Sequence, residues 1–143
     1  MDVSADAVAE VSADGVRAAA RRLDGVAVRT PLLENAVLND IAGGRILLKA
    51  EVLQHYGAFK FRGAYNLISQ LSPEQRNKGV LAWSSGNHAQ GVAYAAKLMG
   101  VKAVILMPED APAIKLKIAR RKAAPSWLSG GLFSRRLLII RTP

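Results

Sequence analysis

The stretch from Val80 to Met107 constrains the fold most. It reads as an apolar run (Val80-Leu81-Ala82-Trp83), a tight turn (Ser84-Ser85-Gly86) and a helical segment over Asn87–Met99. Gly100 and a second apolar run, Val101–Met107, follow. Val92, Ala95, Ala96 and Met99 recur at helical spacing, and Gly100 suits the residue just past a helix end. The two runs are continuously apolar rather than alternating, which is the pattern of strands covered on both faces of a parallel sheet. The expected class is therefore α/β, a three-layer sandwich with a mainly parallel sheet.

The preceding residues keep the same alternation. Ser12 can cap a helix whose apolar positions are Val16, Ala19, Ala20 and Leu23, with Gly25 ending it. Val26–Val28 reads as a short extended piece, Asn35–Ile41 as a short helix, Ile46–Ala50 as a strand and Lys60–Leu71 as a helix. Ser72-Pro73-Glu74-Gln75 carries a cap, a first-turn proline and a glutamine that closes a capping box. Ala111-Pro112 opens a further helix through Ile118. At 143 residues the chain suits one domain with a real core. The absence of cysteine excludes disulfides, thiolate catalysis and cysteine-bound zinc. With only His55 and His88, no multi-histidine metal site is expected. No apolar run approaches a membrane span, and acids (Asp2, Asp6, Glu10) stand where a signal peptide would be basic, so the chain reads as soluble and cytoplasmic.

One octapeptide carries chemistry. Gly57-Ala58-Phe59-Lys60-Phe61-Arg62-Gly63-Ala64 brackets a lysine with two aromatic residues. An ammonium set between phenyl rings is desolvated, and a lysine that loses its proton readily forms a Schiff base with an aldehyde such as pyridoxal phosphate. The bland alternative is a surface lysine whose stem covers the rings. The turn Ser84-Ser85-Gly86-Asn87-His88 is the second candidate. It joins a strand's C-terminal end to a helix N-terminus, where free N–H groups and the helix dipole favour an anion. Here too an alternative stands, because Asn87 with Gln90 three residues on fits a capping box. A lysine 27 residues before an anion-binding turn, with a helix and a strand between, can share one sheet crevice with it.

In this order the two motifs resemble the threonine/serine dehydratase branch of the fold-type II pyridoxal-phosphate enzymes (tryptophan synthase β-like), which includes serine racemase. The resemblance runs from about residue 12 to residue 117 and takes in Arg29–Leu32, Leu48–Glu51 and Met107–Pro112. It implies pyridoxal 5′-phosphate as cofactor and Lys60 as the Schiff-base lysine that also moves the Cα proton. Phe59 would line the cofactor pocket, and Asn87 would hydrogen-bond the pyridoxal 3′-oxygen. Ser84, Asn87 and His88 would hold the substrate carboxylate, and Ser85 would face the opposite side of the cofactor. The implied reaction is β-elimination from a small hydroxy amino acid, giving a 2-oxo acid and ammonia, and members are commonly homo-oligomers. Ala58 and Tyr56 stand where many members have serine and threonine, which bears on substrate preference rather than class.

The family's members are much longer, and the glycine-rich loop that binds the cofactor phosphate is among the parts without a counterpart here. The expected fold is thus incomplete, and dehydratase activity very weak or absent. From about Ile118 the composition also changes. Residues 1–113 hold 12 Lys+Arg against 11 Asp+Glu, a balance of +1, whereas residues 114–143 hold 8 and no acid. Residues 1–118 are read as the N-terminal part of the enzyme fold, a small domain plus a piece of the large one. Residues 119–143 are read as a divergent basic tail, disordered or the product of a shifted reading frame. A basic arm for RNA or an acidic partner is the other reading of the tail. Only Trp127 and Phe133 interleave its charges, so nucleic acid has little support. A non-catalytic module binding an amino acid or pyridoxal phosphate, and a racemase-type isomerase, complete the alternatives.

Overall fold

The computed structural model describes residues 11–84, 86–108, 124–128 and 137–141. Helix α1 (Ala13–Leu23) starts where Ser12 Oγ accepts from Gly15 N at 3.0 Å, with Asp14 in its first turn and Arg21 and Arg22 in its last, each at the favourable end of the dipole. Strands β1 (Leu32–Glu34) and β2 (Leu47–Lys49) pair antiparallel around α2 (Ala36–Ala42), which Asn35 caps through Leu38 N. Two 3-10 turns, Glu51–Leu53 and His55–Gly57, lead into α3 (Lys60–Ile68). The expected capping box forms at α4 (Pro73–Lys78), with the Ser72 and Gln75 side chains each accepting from the other's backbone N–H. Val26–Val28 forms no strand, being turn and irregular chain.

The organising unit is β3 (Val80–Trp83), α5 (Asn87–Leu98) and β4 (Ala103–Pro108). β3 and β4 are parallel, with Val80 opposite Ala103 and Trp83 opposite Leu106. At its start Val80 N donates to Lys102 O at 2.8 Å, and Gly79, at φ +83°, passes so close that an added Cβ would lie 2.7 Å from the same carbonyl. Ala103, Ile105 and Met107 alternate inward and are essentially fully buried against α5. Ala89, Val92, Ala95 and Ala96 of α5 meet Phe61, Ala64 and Ile68 of α3, so small residues on one helix let the other approach closely.

The α/β class holds, and its incompleteness is visible at β3. Ala82 is buried, but Leu81 and Trp83 on the other face are 69% and 54% exposed, because among the described residues no layer covers them. Two strands lie in the region read as a basic tail: β5 (Ala124–Leu128) and β6 (Leu137–Arg141). β6 pairs antiparallel with both β4 and β5, giving the order β3-β4-β6-β5 and making the sheet mixed rather than mainly parallel. The helix expected over Ala111–Ile118 lies outside the described residues. Among the described residues, no helix is long and apolar enough to cross a membrane.

Candidate active site

Lys60 is the first residue of α3 and is exposed. The expectation that it lies between two rings is corrected by helical geometry. Residues two apart on a helix point to nearly opposite sides, so Phe61 is 1% exposed in the core while Phe59 is 58% exposed. The amine stands over the Phe59 ring alone, 4.8 Å from its centroid. Among the described residues no carboxylate pairs with Lys60.

The approach to Lys60 is fixed by an aromatic cluster. His55 Nε2 lies 2.9 Å from Val26 O, and its ring meets Phe61 and Tyr94 edge-on at 4.7 and 5.1 Å. Tyr56 takes a left-handed conformation (φ 59°), unusual for a residue with a side chain, and its ring packs on Tyr94 at 5.0 Å. Tyr94 belongs to α5, so the loop before Lys60 is tied to the helix that carries the second motif.

A polar network anchors the other side of α3. Arg62 grips Glu51 in bidentate fashion, Nε to Oε2 at 2.9 Å and Nη2 to Oε1 at 2.7 Å, and Thr30 Oγ1 donates to the same carboxylate at 2.6 Å. Arg62 Nη2 also donates to Val28 O, and Lys49 Nζ donates to Thr30 O. The Arg62 hydrogen bonds hold the Glu51 carboxyl at about 2, against the opposing effect of burial and with help from Thr30 and Lys49. The Glu51 contact in turn raises the Arg62 guanidinium above its ordinary value. Sequence reasoning assigned Thr30, Glu51 and Arg62 no role. The available signal was an arginine two residues from the candidate lysine and a lone acid after an apolar strand.

At the C-terminal end of β3, Ser84 N donates to Leu106 O at 3.0 Å, and Gly86 N donates to Ser84 Oγ at 3.1 Å. The N-cap of α5 is Gly86, with no side-chain cap. Asn87 is therefore the first helical residue rather than the cap, Gln90 is buried, and the capping-box alternative does not form. Asn87 and His88 are exposed at a helix start that, among the described residues, has no side-chain cap. His88 lines a cavity of about 360 Å³ with Gly63, Ala64, Leu67 and Trp83. Gly63, Ala64 and Leu67 stand three, four and seven residues after Lys60, on its own helical stripe. Ser85 lies outside the described residues. The structure thus brings Lys60, Phe59, Ser84, Asn87 and His88 to two helix starts joined by packing. Among the described residues of the Ser84–His88 turn, none hydrogen-bonds Lys60.

The donor set fits pyridoxal phosphate: among the described residues, a primary amine with no carboxylate partner for an aldehyde, an exposed amide for a ring oxygen, and a helix start with no side-chain cap for a carboxylate. Comparisons with known proteins agree. The sequence model of the family described as pyridoxal-phosphate dependent enzyme matches residues 23–140. The chain is 46% identical over 123 residues to the L-threonine ammonia-lyase of Thermotoga maritima, covering 86% of this chain and 31% of that protein. It is 54% identical over 98 residues to the L-threo-3-hydroxyaspartate ammonia-lyase of Saccharomyces cerevisiae, covering 68% and 30%. Among solved structures, serine racemase from Dictyostelium discoideum superposes with TM-score 0.72 at 42% identity, covering 77% of this chain and 36% of that one. Maize serine racemase gives 0.69 at 44%, covering 73% and 32%. The chain spans about a third of the length of these proteins. With its lysine, its helix start without a side-chain cap and a family match over most of its length, it belongs to the pyridoxal-phosphate dependent enzymes.

Proposed function

We propose that this chain carries the lysine-bearing part of an ammonia-lyase site that converts a small hydroxy amino acid, threonine or serine, to a 2-oxo acid and ammonia. The observation that carries the reading is the packing of α3, which begins at Lys60, against α5, which begins uncapped at Asn87. Pyridoxal phosphate, when bound, supplies an electron sink next to the substrate Cα. Lys60 Nζ would hold the cofactor aldehyde and move the Cα proton. The Asn87 amide would donate to the cofactor ring oxygen, and Phe59 would flank the amine. Ser84, Asn87, His88 and the first-turn N–H groups of α5 would receive the substrate carboxylate, with Ser85 on the opposite face. The relatives' names favour elimination, and the serine racemase likeness supports isomerisation as the second reading. The charge break near Ile118 supports reading 119–143 as a divergent tail, while the family match runs on to residue 140.

The test is reductive pyridoxylation: the chain is treated with pyridoxal phosphate and cyanoborohydride and its eight lysines are mapped by mass spectrometry. Preferential labelling of Lys60, slowed by threonine or serine, is the expected result. Labelling spread evenly over exposed lysines would refute the reading. Because the chain spans about a third of its relatives' length, 2-oxobutyrate formation from threonine by this chain alone is expected to be very weak or absent.

A further inference from the structure

We propose that Gly91 is a positioning residue for Lys60, setting by its lack of a side chain where the lysine backbone sits relative to Asn87 and His88. This rests on the reading of Lys60 given above. A Cβ built on Gly91 would lie 3.0 Å from both Lys60 C and Phe61 N and 3.1 Å from Lys60 O. All three are main-chain atoms, so no flexible side chain can swing aside to relieve the contact. By contrast, a Cβ on Gly63, a turn further along α3, meets nothing within 4 Å. Gly91 therefore marks the one described helix glycine at which α5 rests directly on the lysine's own peptide.

The contact falls one turn into α5. Gly91 is four residues after Asn87 and three after His88, a rise of about 5–6 Å along the helix. Any side chain at this position must push the first turn of α3 away from α5 by a few tenths of an ångström. Lys60 is anchored on its other side by the neighbouring Arg62–Glu51 pair. The displacement is thus taken up between the amine and the Asn87–His88 turn rather than by translation of the whole helix. Misplacement of about 1 Å at a reacting group can slow a step on the order of 100-fold, so a few tenths should slow bond formation at Lys60 by roughly fourfold. The step at issue is simple: the amine adds to the aldehyde carbon, a C=N bond forms and one water leaves, after which cyanoborohydride fixes the product.

The experiment compares reductive pyridoxylation of Lys60 in the full 143-residue chain, in Gly91→Ala and in Ile105→Val. Labelling of exposed Lys97 serves as an internal reference, and each variant's melting is followed by circular dichroism. Ile105 is fully buried in β4, so its variant reports what a modest loss of stability does by itself. The expected result is a Lys60:Lys97 labelling ratio lowered roughly fourfold in Gly91→Ala and unchanged in Ile105→Val. An unchanged ratio in Gly91→Ala overturns the inference, as does an equal fall in Ile105→Val or a Gly91→Ala chain that does not fold, which would make the glycine purely structural. If the unmodified chain shows no preference for Lys60, the reading of the lysine itself fails, a result separate from any of these.

Discussion

Glu51→Gln removes a charge from the network under α3 while nearly preserving shape. The Glu51 side chain is 17% exposed and that of Arg62 28%, so their bidentate contact is largely shielded from water. The ordinary carboxyl value is 4.5, and the folded chain holds it at about 2. That difference corresponds to about 3 kcal/mol of preference for the ionised form, an upper figure for a group still partly wetted. Because the folded value is depressed, the contribution is fully present above about pH 4.5 and is lost as pH falls through 4.5 toward 2. At pH 7 the variant should be less stable by about 2–3 kcal/mol, since it also leaves the Arg62 guanidinium without its counter-charge. Urea unfolding of both chains at pH 7, 4.5 and 3 is the assay. Subtracting one from the other cancels the exposed acids Glu34 and Glu74, whose carboxyls are also lowered but which the substitution does not touch. The gap should narrow progressively below pH 4.5. A gap under about 0.5 kcal/mol at pH 7, or one that does not shrink with acid, would refute the reasoning.

Three further outcomes follow from the fold. Gly79→Ala forces a side chain into φ +83°, ψ −175° with its Cβ 2.7 Å from Lys102 O, and should lower stability by at least about 2 kcal/mol in urea unfolding. Ser72→Ala removes the hydroxyl that accepts from Gln75 N while leaving the Ser72 backbone N–H that donates to Gln75 Oε1, and should cost about 1 kcal/mol by the same measurement. Trp83→Lys places a charge on an edge strand that now exposes Leu81 and Trp83, and should lower concentration-dependent light scattering without changing the far-ultraviolet spectrum.

What was legible in the sequence was whatever depends on near neighbours. The Ser12 and Ser72 caps each act within three residues, so α1 and α4 start where their capping residues stand, while α2, expected from Asn35, starts one residue later with Asn35 as its cap. The β3–α5–β4 unit followed from two apolar runs bracketing a helical period, and the parallel register confirms it. The capping box at Asn87 failed because Gly86, with no side chain to offer, takes the N-cap position and pushes the asparagine into the first turn. The lysine between two rings failed for a related reason: adjacency in sequence turns into opposition once the segment is helical. The Thr30–Glu51–Arg62 network joins residues 11 to 32 apart, and no local pattern announces such a pairing. Strands β5 and β6 were missed because the run of basic residues and the loss of acids drew the reading to the region's charge, although Leu137–Ile140 is an apolar run and Pro125 in β5 lacks only one ladder donor.

The features around Lys60 share one logic. The lysine sits at the first turn of a helix, the part with the fewest backbone hydrogen bonds of its own and therefore the least intrinsic rigidity. Each neighbour supplies a constraint the helix cannot. Arg62, two residues on, is clamped to Glu51 just past β2 and to the Val28 carbonyl. His55 and Tyr56, just before, are held by Tyr94, and Gly91 sets the gap to α5. Among the described residues the Nζ itself is left with one soft contact, the Phe59 ring, and no hydrogen-bond partner that would have to be displaced. A fixed backbone with an accessible amine is the arrangement that covalent chemistry at a lysine requires. A lysine serving only to cover apolar surface would need neither the clamp nor the glycine, so the conjunction of the two supports the proposed role of the Lys60 amine over that of its stem.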